Sequence, residues 1–203
     1  MYSKIILSVI IGYLLGSIPF ALVIGKLFFR TDIRQHGSKN LGGGNAGRVL
    51  GKKAGLAVMA LDLLKVTLVI FIVSCFQGGE WYMTVAGLAA AAGHCFPLFA
   101  NFKGGKAVAV MYGFLFGMAL FGGYSLWIFL LPLISFLVIL YLGKIIALAS
   151  IFSAMINTVY LLFTTGNSTV FWASLIFSAV ILVRHKSNLM RIRQGIENKI
   201  TWM

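Results

Sequence analysis

Long apolar runs, broken at short intervals by glycine, asparagine, serine and basic residues, organise this chain from Ile5 onward. A helix needs ~20 consecutive apolar residues to cross the hydrocarbon core of a bilayer, and runs near that length recur along the chain. Breaks in hydropathy predict helices over 5–29, 55–76, 82–102, 107–123, 125–142, 145–163 and 169–184, about seven in all. The fourth and fifth are separated only by GGYS. The first run exceeds the ~7 to 15 apolar residues of a signal peptide, only Lys4 precedes it as a charge, and no A-x-A pattern follows. It is read as a retained helix. No stretch is left over for a separate soluble domain, so residues 1–203 are expected to form one integral membrane domain.

Composition agrees with that pattern. The 203 residues are 60% hydrophobic and 10% charged, with a mean hydropathy of +0.98. That is more apolar surface than a water-soluble core of this size could hide. The cations then orient the helices. If the loops alternate sides, fourteen Lys and Arg residues, from Arg30 to Lys199, share one face; the other receives only Lys4, while Lys26 and Lys65 fall inside spans. The positive-inside rule puts the N-terminus outside and the C-terminus in the cytoplasm. This asymmetry, with contact to anionic headgroups, accounts for the net charge of +13, and no nucleic-acid motif accompanies it. The outside loops, QGGE, GGYS and TTGNS, are short and nearly uncharged, so function is expected on the cytoplasmic face. Cys75 and Cys95 lie in apolar runs without ligand spacing, which indicates neither a disulfide nor a zinc site. No metal or cofactor is expected.

Three polar segments fall on the cytoplasmic side. The first, HGSKNLGGGNAGR, runs from His36 to Arg48. Gly37, Gly42, Gly43, Gly44 and Gly47 offer the positive φ with which backbone N–H groups curl around an anion. Ser38, Asn40 and Asn45 add donors, and Arg48 adds a bidentate fork suited to phosphate. Gly42, Gly44 and Gly47 match G-x-G-x-x-G, but no strand precedes them, and Gly43 and Gly44 stand where a P-loop needs Lys and Ser or Thr. A flexible basic loop at the headgroups stays open as the alternative. The second segment, GHCFPLFANFKGGKAVA from Gly93 to Ala109, sets Lys103 and Lys106 around Gly104 and Gly105. His94 lies within a span, where an ionisable group is either functional or a satisfied packing residue. In the third, Val183 to Ile200, His185 and Asn188 are three apart and would share a face of a continuing helix with Arg184 and Arg191; a basic amphipathic tail is the alternative. Asp62 and Lys65, spaced i, i+3, are read as a structural ion pair.

GSKNLGGGNAGRVLGKKAG, GHCFPLFANFKGGKAVA and RHKSNLMRIRQGIENKI, with GSIPFA at Gly16–Ala21 and LDLLK in the second span, resemble in order and spacing the signature segments of the bacterial acyl-phosphate:glycerol-3-phosphate acyltransferases, the PlsY family. The resemblance covers nearly the whole chain. It implies a seven-helix enzyme of the bacterial cytoplasmic membrane that moves a fatty acyl group from acyl phosphate to the 1-hydroxyl of sn-glycerol 3-phosphate, giving lysophosphatidic acid and phosphate. It also implies that a soluble partner enzyme supplies the acyl phosphate. By position, the catalytic set falls on Ser38, Arg48, Lys106, His185 and Asn188. The substrate-binding set adds Gly37, Asn40, Gly42, Gly43, Gly44 and Asn45, with His94, Lys103, Gly104 and Gly105. The chain departs from the family pattern where Lys39 and Ala107 replace glycines and where Gly44 and Val110 replace threonines.

Other chemistries fit less well. The carboxylates are Asp32, Asp62, Glu80 and Glu197, too scattered for a Ser-His-Asp triad or a two-metal centre. The His-x4-Asp pattern of other glycerolipid acyltransferases is missing, since Leu41, Phe99 and Met190 stand five after His36, His94 and His185. The remaining alternatives are an anion transporter, which calls for broken helices and repeat symmetry, and a non-catalytic lipid- or phosphate-binding relative. The topology is testable by thiol labelling of sealed cells. Cysteines at positions 39 and 198 should react only with reagent that reaches the cytoplasm, and one at position 80 with external reagent; external labelling at 39 would refute the orientation.

Overall fold

The structure, a computed structural model, describes residues 2–76 and 79–200. Among these residues every regular element is helical. Of the expected QGGE loop, Gln77 and Gly78 lie outside the described residues. The chain divides into two compact units, Met1–Gly123 and Tyr124–Met203, taken here one at a time.

The first unit contains α1 (Tyr2–Gly16), α2 (Phe20–Phe29), α3 (Gly43–Val49), α4 (Lys52–Phe76), α5 (Glu80–Cys95) and α6 (Val108–Phe121), with single 3₁₀ turns at Ile33–Gln35 and Leu98–Ala100. The helix expected over 5–29 is therefore interrupted between Gly16 and Phe20. Pro19 has no N–H to offer and disfavours helical geometry at Ile18 before it, so the run is apolar throughout but cannot be one unbroken ladder. The third expected helix stops at Cys95 instead of 102 for the same reason: Phe96 precedes Pro97 and leaves the helical region at φ −130°, ψ 65°.

Between apolar helices in lipid there is little hydrophobic driving force, so association depends on close backbone approach and hydrogen bonds. Ser8, Gly12 and Gly16 form a buried stripe on α1 at four-residue spacing. A Cβ on Gly12 would lie 2.2 Å from the Ala86 carbonyl oxygen, and one on Gly16 2.2 Å from that of Ala90, so α1 and α5 meet backbone to backbone. α4 meets α6 in the same way at Gly113, and Thr67 Oγ1 donates to the Gly113 carbonyl at 3.1 Å.

The second unit contains α7 (Trp127–Gly143), α8 (Ile146–Thr165), α9 (Thr169–Arg184) and α10 (Lys186–Arg193). Polar side chains tie α8 to α9. Asn157 Nδ2 donates to Ser174 Oγ at 3.1 Å, and Thr158 Oγ1 lies 2.9 Å from both Ser174 and Ser178 Oγ. The helix through Arg184 does not run straight on: α9 and α10 meet at a 54° bend.

All seven predicted segments are thus helical, the first in two pieces. Among the described residues, four stretches are long and apolar enough to cross a membrane: Tyr2–Phe29 counted across its break, Lys52–Phe76, Glu80–Ala100 and Ile146–Thr165. The bent α9–α10 pair makes a fifth. α6 and α7 are shorter, at 14 and 17 residues. Exposed Leu, Phe, Trp and Ile side chains, such as Leu27, Phe28, Phe71 and Trp81, face outward, as a lipid-facing surface requires and a water-facing one of this extent would not tolerate. The α1–α5 contact gives a stability test. Gly12→Val should lose at least about 1–3 kcal/mol through overpacking and lower the detergent Tm. Gly143→Ala, whose Cβ meets nothing within 4 Å, should leave the Tm unchanged or slightly raised.

Candidate phosphate-handling site

Arg30 ends α2 in the left-handed region at φ 50°. Asp32 then caps the following 3₁₀ turn, accepting from Arg34 N at 3.0 Å while pairing with its guanidinium, Nη2 to Oδ2 at 2.6 Å. Hydrogen bonding from that guanidinium lowers the Asp32 pKa to about 2, so both groups stay ionised and Arg34 is locally neutralised.

Asn45 organises the next stretch. Its Oδ1 accepts from Ser38 N at 2.8 Å, and its Nδ2 donates to the carbonyls of Ile33 and His36, each at 3.2 Å. Both amide N–H bonds are therefore engaged within the loop, and the expected ligand donor works here as an internal clamp. Gly37 takes φ +58°, and a Cβ there would lie 2.4 Å from Asn45 Oδ1. The other glycines differ from expectation. Gly42, Gly43, Gly44 and Gly47 do not take positive φ; they cap and build α3. Gly43 and Gly47 serve close packing on α4, since a Cβ on Gly55 would fall 2.6 Å from Gly47 Cα and 2.9 Å from the Gly43 carbonyl. Gly44 faces open space, so the family's threonine would fit there. Ser38 and Arg48 are exposed, and Asn40 is half-buried.

The second segment folds back on the end of α5. Gly105 N donates to the His94 carbonyl at 3.0 Å, and Tyr13 Oη donates to the Phe96 carbonyl at 2.9 Å. Gly104 and Gly105 are buried, Lys103 is exposed and Lys106 half-buried. Leu41, Ala46, Ile33 and Ala100 belong to one buried apolar cluster, so the first loop and the second turn stand on a common floor. His94 is buried, with Nδ1 3.2 Å from Lys65 Nζ, and Lys65 pairs with Asp62 at 2.7 Å. The ion pair expected from spacing is present, with His94 added to it.

In the second unit His185 sits buried at the bend between α9 and α10, its Nδ1 2.8 Å from the Ile181 carbonyl oxygen. A carbonyl only accepts, so Nδ1 carries the proton, and in the neutral ring the lone pair lies on Nε2. Asn188 Nδ2 donates to Glu197 Oε1 at 2.6 Å, and Arg191 Nε donates to Glu197 Oε2 at 2.7 Å. Glu197 thus orients a predicted site residue, a role the sequence reading missed. The available signal was a carboxylate just beyond Gly195, whose φ of +72° turns the chain back toward α10.

These features define a polytopic membrane protein with basic, glycine-rich turns suited to phosphate. The glycerol-3-phosphate acyltransferase family model matches residues 6–195, and the chain belongs to that family. It is 41% identical over 207 residues to the glycerol-3-phosphate acyltransferases of Streptococcus pyogenes serotypes M5 (strain Manfredo) and M49 (strain NZ131), covering 98% of this chain and 94% of theirs. Two crystal structures of PlsY (YgiH), an integral membrane glycerol 3-phosphate acyltransferase, are also similar. The glycerol 3-phosphate form has TM-score 0.88 at 35% identity, covering 97% of this chain and 96% of that one. The lysophosphatidic acid form has TM-score 0.85 at 33% identity, covering 97% and 95%.

Lys39 and Ala107, which stand where the family pattern has glycine, both keep the left-handed backbone, at φ 58° and φ 64°. A side chain there costs roughly 1 kcal/mol or more. Lys39→Gly and Ala107→Gly should each raise stability in thermal melts, by up to about 1 kcal/mol; a loss of stability in both would show that the strain is absent.

Proposed function

We propose that this protein transfers a fatty acyl group from acyl phosphate to the 1-hydroxyl of sn-glycerol 3-phosphate at the cytoplasmic face of a bacterial cytoplasmic membrane, releasing lysophosphatidic acid and phosphate. The reading is carried by the full-length likeness to an acyltransferase solved with glycerol 3-phosphate and with lysophosphatidic acid. In this reading the chain works as one domain of seven spans, N-terminus outside, and a soluble enzyme delivers its donor.

The chemistry asks little of a protein nucleophile, because an acyl phosphate is already an activated anhydride. The acceptor hydroxyl oxygen attacks the acyl carbonyl carbon, the bond from that carbon to the phosphate oxygen breaks, and the hydroxyl proton passes to His185 Nε2 or to a substrate phosphate oxygen. Orientation and charge stabilisation carry the rate. Lys106 and the Gly37–Asn45 loop stabilise the departing phosphate, while Ser38, Arg48, His185 and Asn188 hold the acceptor. The bond from His185 Nδ1 to Ile181 supports this role, since it leaves Nε2 as the basic atom. In the first unit an apolar groove of about 430 Å³, lined by Leu15, Leu61, Leu64, Leu68, Phe71 and Phe121, suits a hydrocarbon tail. The broken first span is a feature transporters use, but its freed Ile18 carbonyl already accepts from Lys65 at 2.9 Å, which favours a structural break.

Purified protein in detergent should convert palmitoyl phosphate and glycerol 3-phosphate to lysophosphatidic acid with release of phosphate, and acyl-CoA should be inert; turnover with acyl-CoA alone would refute the donor assignment. A charged hydrogen bond contributes roughly 1.5–3 kcal/mol, so Arg48→Ala should lower kcat/KM at least ~10-fold, mainly in its glycerol 3-phosphate dependence. Arg48→Lys should recover only part of the loss, and Lys53→Ala should change little. Equal losses in the two alanine variants would remove any special role for Arg48.

A further inference from the structure

We propose that Asp62, Lys65 and His94, buried inside the first unit, act together as a positioning unit that sets the Gly104–Gly105 turn and so the ammonium of Lys106. An ion pair between Asp62 and Lys65 would by itself satisfy the charge balance of a span. The geometry does more. Lys65 Nζ lies 2.7 Å from Asp62 Oδ1, 2.9 Å from the Ile18 carbonyl oxygen and 3.2 Å from His94 Nδ1. An ammonium has three N–H donors and no acceptor, so three acceptors use it fully.

This count fixes the histidine. His94 Nδ1 must accept, which makes the ring neutral with its proton on Nε2; an imidazolium 3.2 Å from an ammonium would set like charges face to face. Asp62 Oδ1 lies farther from Nδ1, at 3.6 Å. The ring is then held in one orientation, and the turn is pressed against it. A Cβ on Gly105 would sit 2.0 Å from His94 Nε2, and one on Gly104 2.1 Å from the His94 carbonyl oxygen, which accepts from Gly105 N. Lys106 follows at once, and Ala107 then takes the left-handed conformation that opens α6. The side chains of Asp62, Lys65 and His94 are 2%, 3% and 6% exposed, so their polar atoms act through the turn, while Lys65 also lines the apolar groove.

The catalytic consequence rests on the reading of Lys106 as a phosphate-binding group, so two independent readouts are needed: hydrogen exchange of the peptide spanning 96–107, and steady-state kinetics, both on the full-length protein in detergent. His94→Asn keeps an acceptor near the Nδ1 position; His94→Phe keeps the ring and loses the acceptor. In His94→Phe the Gly105 amide should exchange at least ~10-fold faster, and kcat/KM should fall at least ~10-fold with KM rising for the phosphate substrate that Lys106 holds. His94→Asn should return both to within ~3-fold of the wild type. Gly105→Ala, which displaces the turn from an intact cluster, should reproduce the kinetic loss and carries the test if His94→Phe does not fold. Wild-type exchange in a folded His94→Phe, an Asn variant no better than Phe, or wild-type kinetics in Gly105→Ala would each overturn the positioning role. A wild-type protein without acyl transfer would refute the enzymatic reading, and the exchange arm would still decide the role of His94.

Discussion

Lys65 Nζ holds three acceptors from three places in the chain: a carboxylate on its own helix, the carbonyl freed where α1 gives way to α2, and the ring of His94 at the end of α5. Removing any one would leave a buried charge or dipole without its partner, at a cost of about 3–5 kcal/mol for a broken buried pair. Replacing the whole set by apolar residues of similar volume is often neutral, so net stability does not explain such a cluster. Geometry does. The Pro19 break exposes a carbonyl that hydrocarbon cannot solvate, and Lys65 satisfies it from α4. With the break secured, α2 turns into the loop that begins at Arg30, and the first polar segment has a fixed point of departure.

Glycine serves two different needs along this chain. Within the spans it removes a side chain so that backbones can touch, at Gly12 and Gly16 against α5 and at Gly113 against α4. In the first polar loop only Gly37 is used for its handedness, while Gly43 and Gly47 are again used for contact. Positive φ at Lys39 and Ala107 is held without glycine. The surrounding hydrogen bonds, from Ser38 N to Asn45 Oδ1 in the first loop and from Gly105 N to the His94 carbonyl in the second, impose those backbone shapes on residues that disfavour them. Backbone shape in the two turns is thus set by the frame beneath them more than by local preference.

That distinction marks what could be read in advance. Apolar run length gave all seven helical segments, because burial in hydrocarbon requires backbone hydrogen bonds to close within each segment. The Pro19 break was masked by the same rule, as the residues on both sides are equally apolar. α3 had no local signature at all: GGNAGRV is a poor helix former, and it folds because Gly43 and Gly47 dock on Gly55 of α4, a tertiary contact. In the site, residue types legible as phosphate ligands were legible from chemistry alone. Asn45 reads as a donor in the sequence, but the carbonyls of Ile33 and His36 that engage its Nδ2 come together only once the 3₁₀ turn is built. Glu197 was overlooked because its contacts depend on the reversal at Gly195.

The carboxylates, finally, constrain the chemistry. Asp32 is paired with Arg34, Asp62 with Lys65 and Glu197 with Arg191, and Glu80 opens α5 at the far end of that helix from His94. Each of the three pairs holds a loop, a break or a bend in shape, and the position at His185 Nδ1 that a triad carboxylate would take is used by the Ile181 carbonyl. What the turns offer is cationic charge and backbone donors. Such a surface favours a reaction in which negative charge moves onto a leaving phosphate, and gives little help to one that must generate a strong nucleophile from a neutral group. An activated acyl donor is the chemical counterpart of that arrangement, since its energy is stored in the bond to phosphate and the protein has only to hold both ends in line.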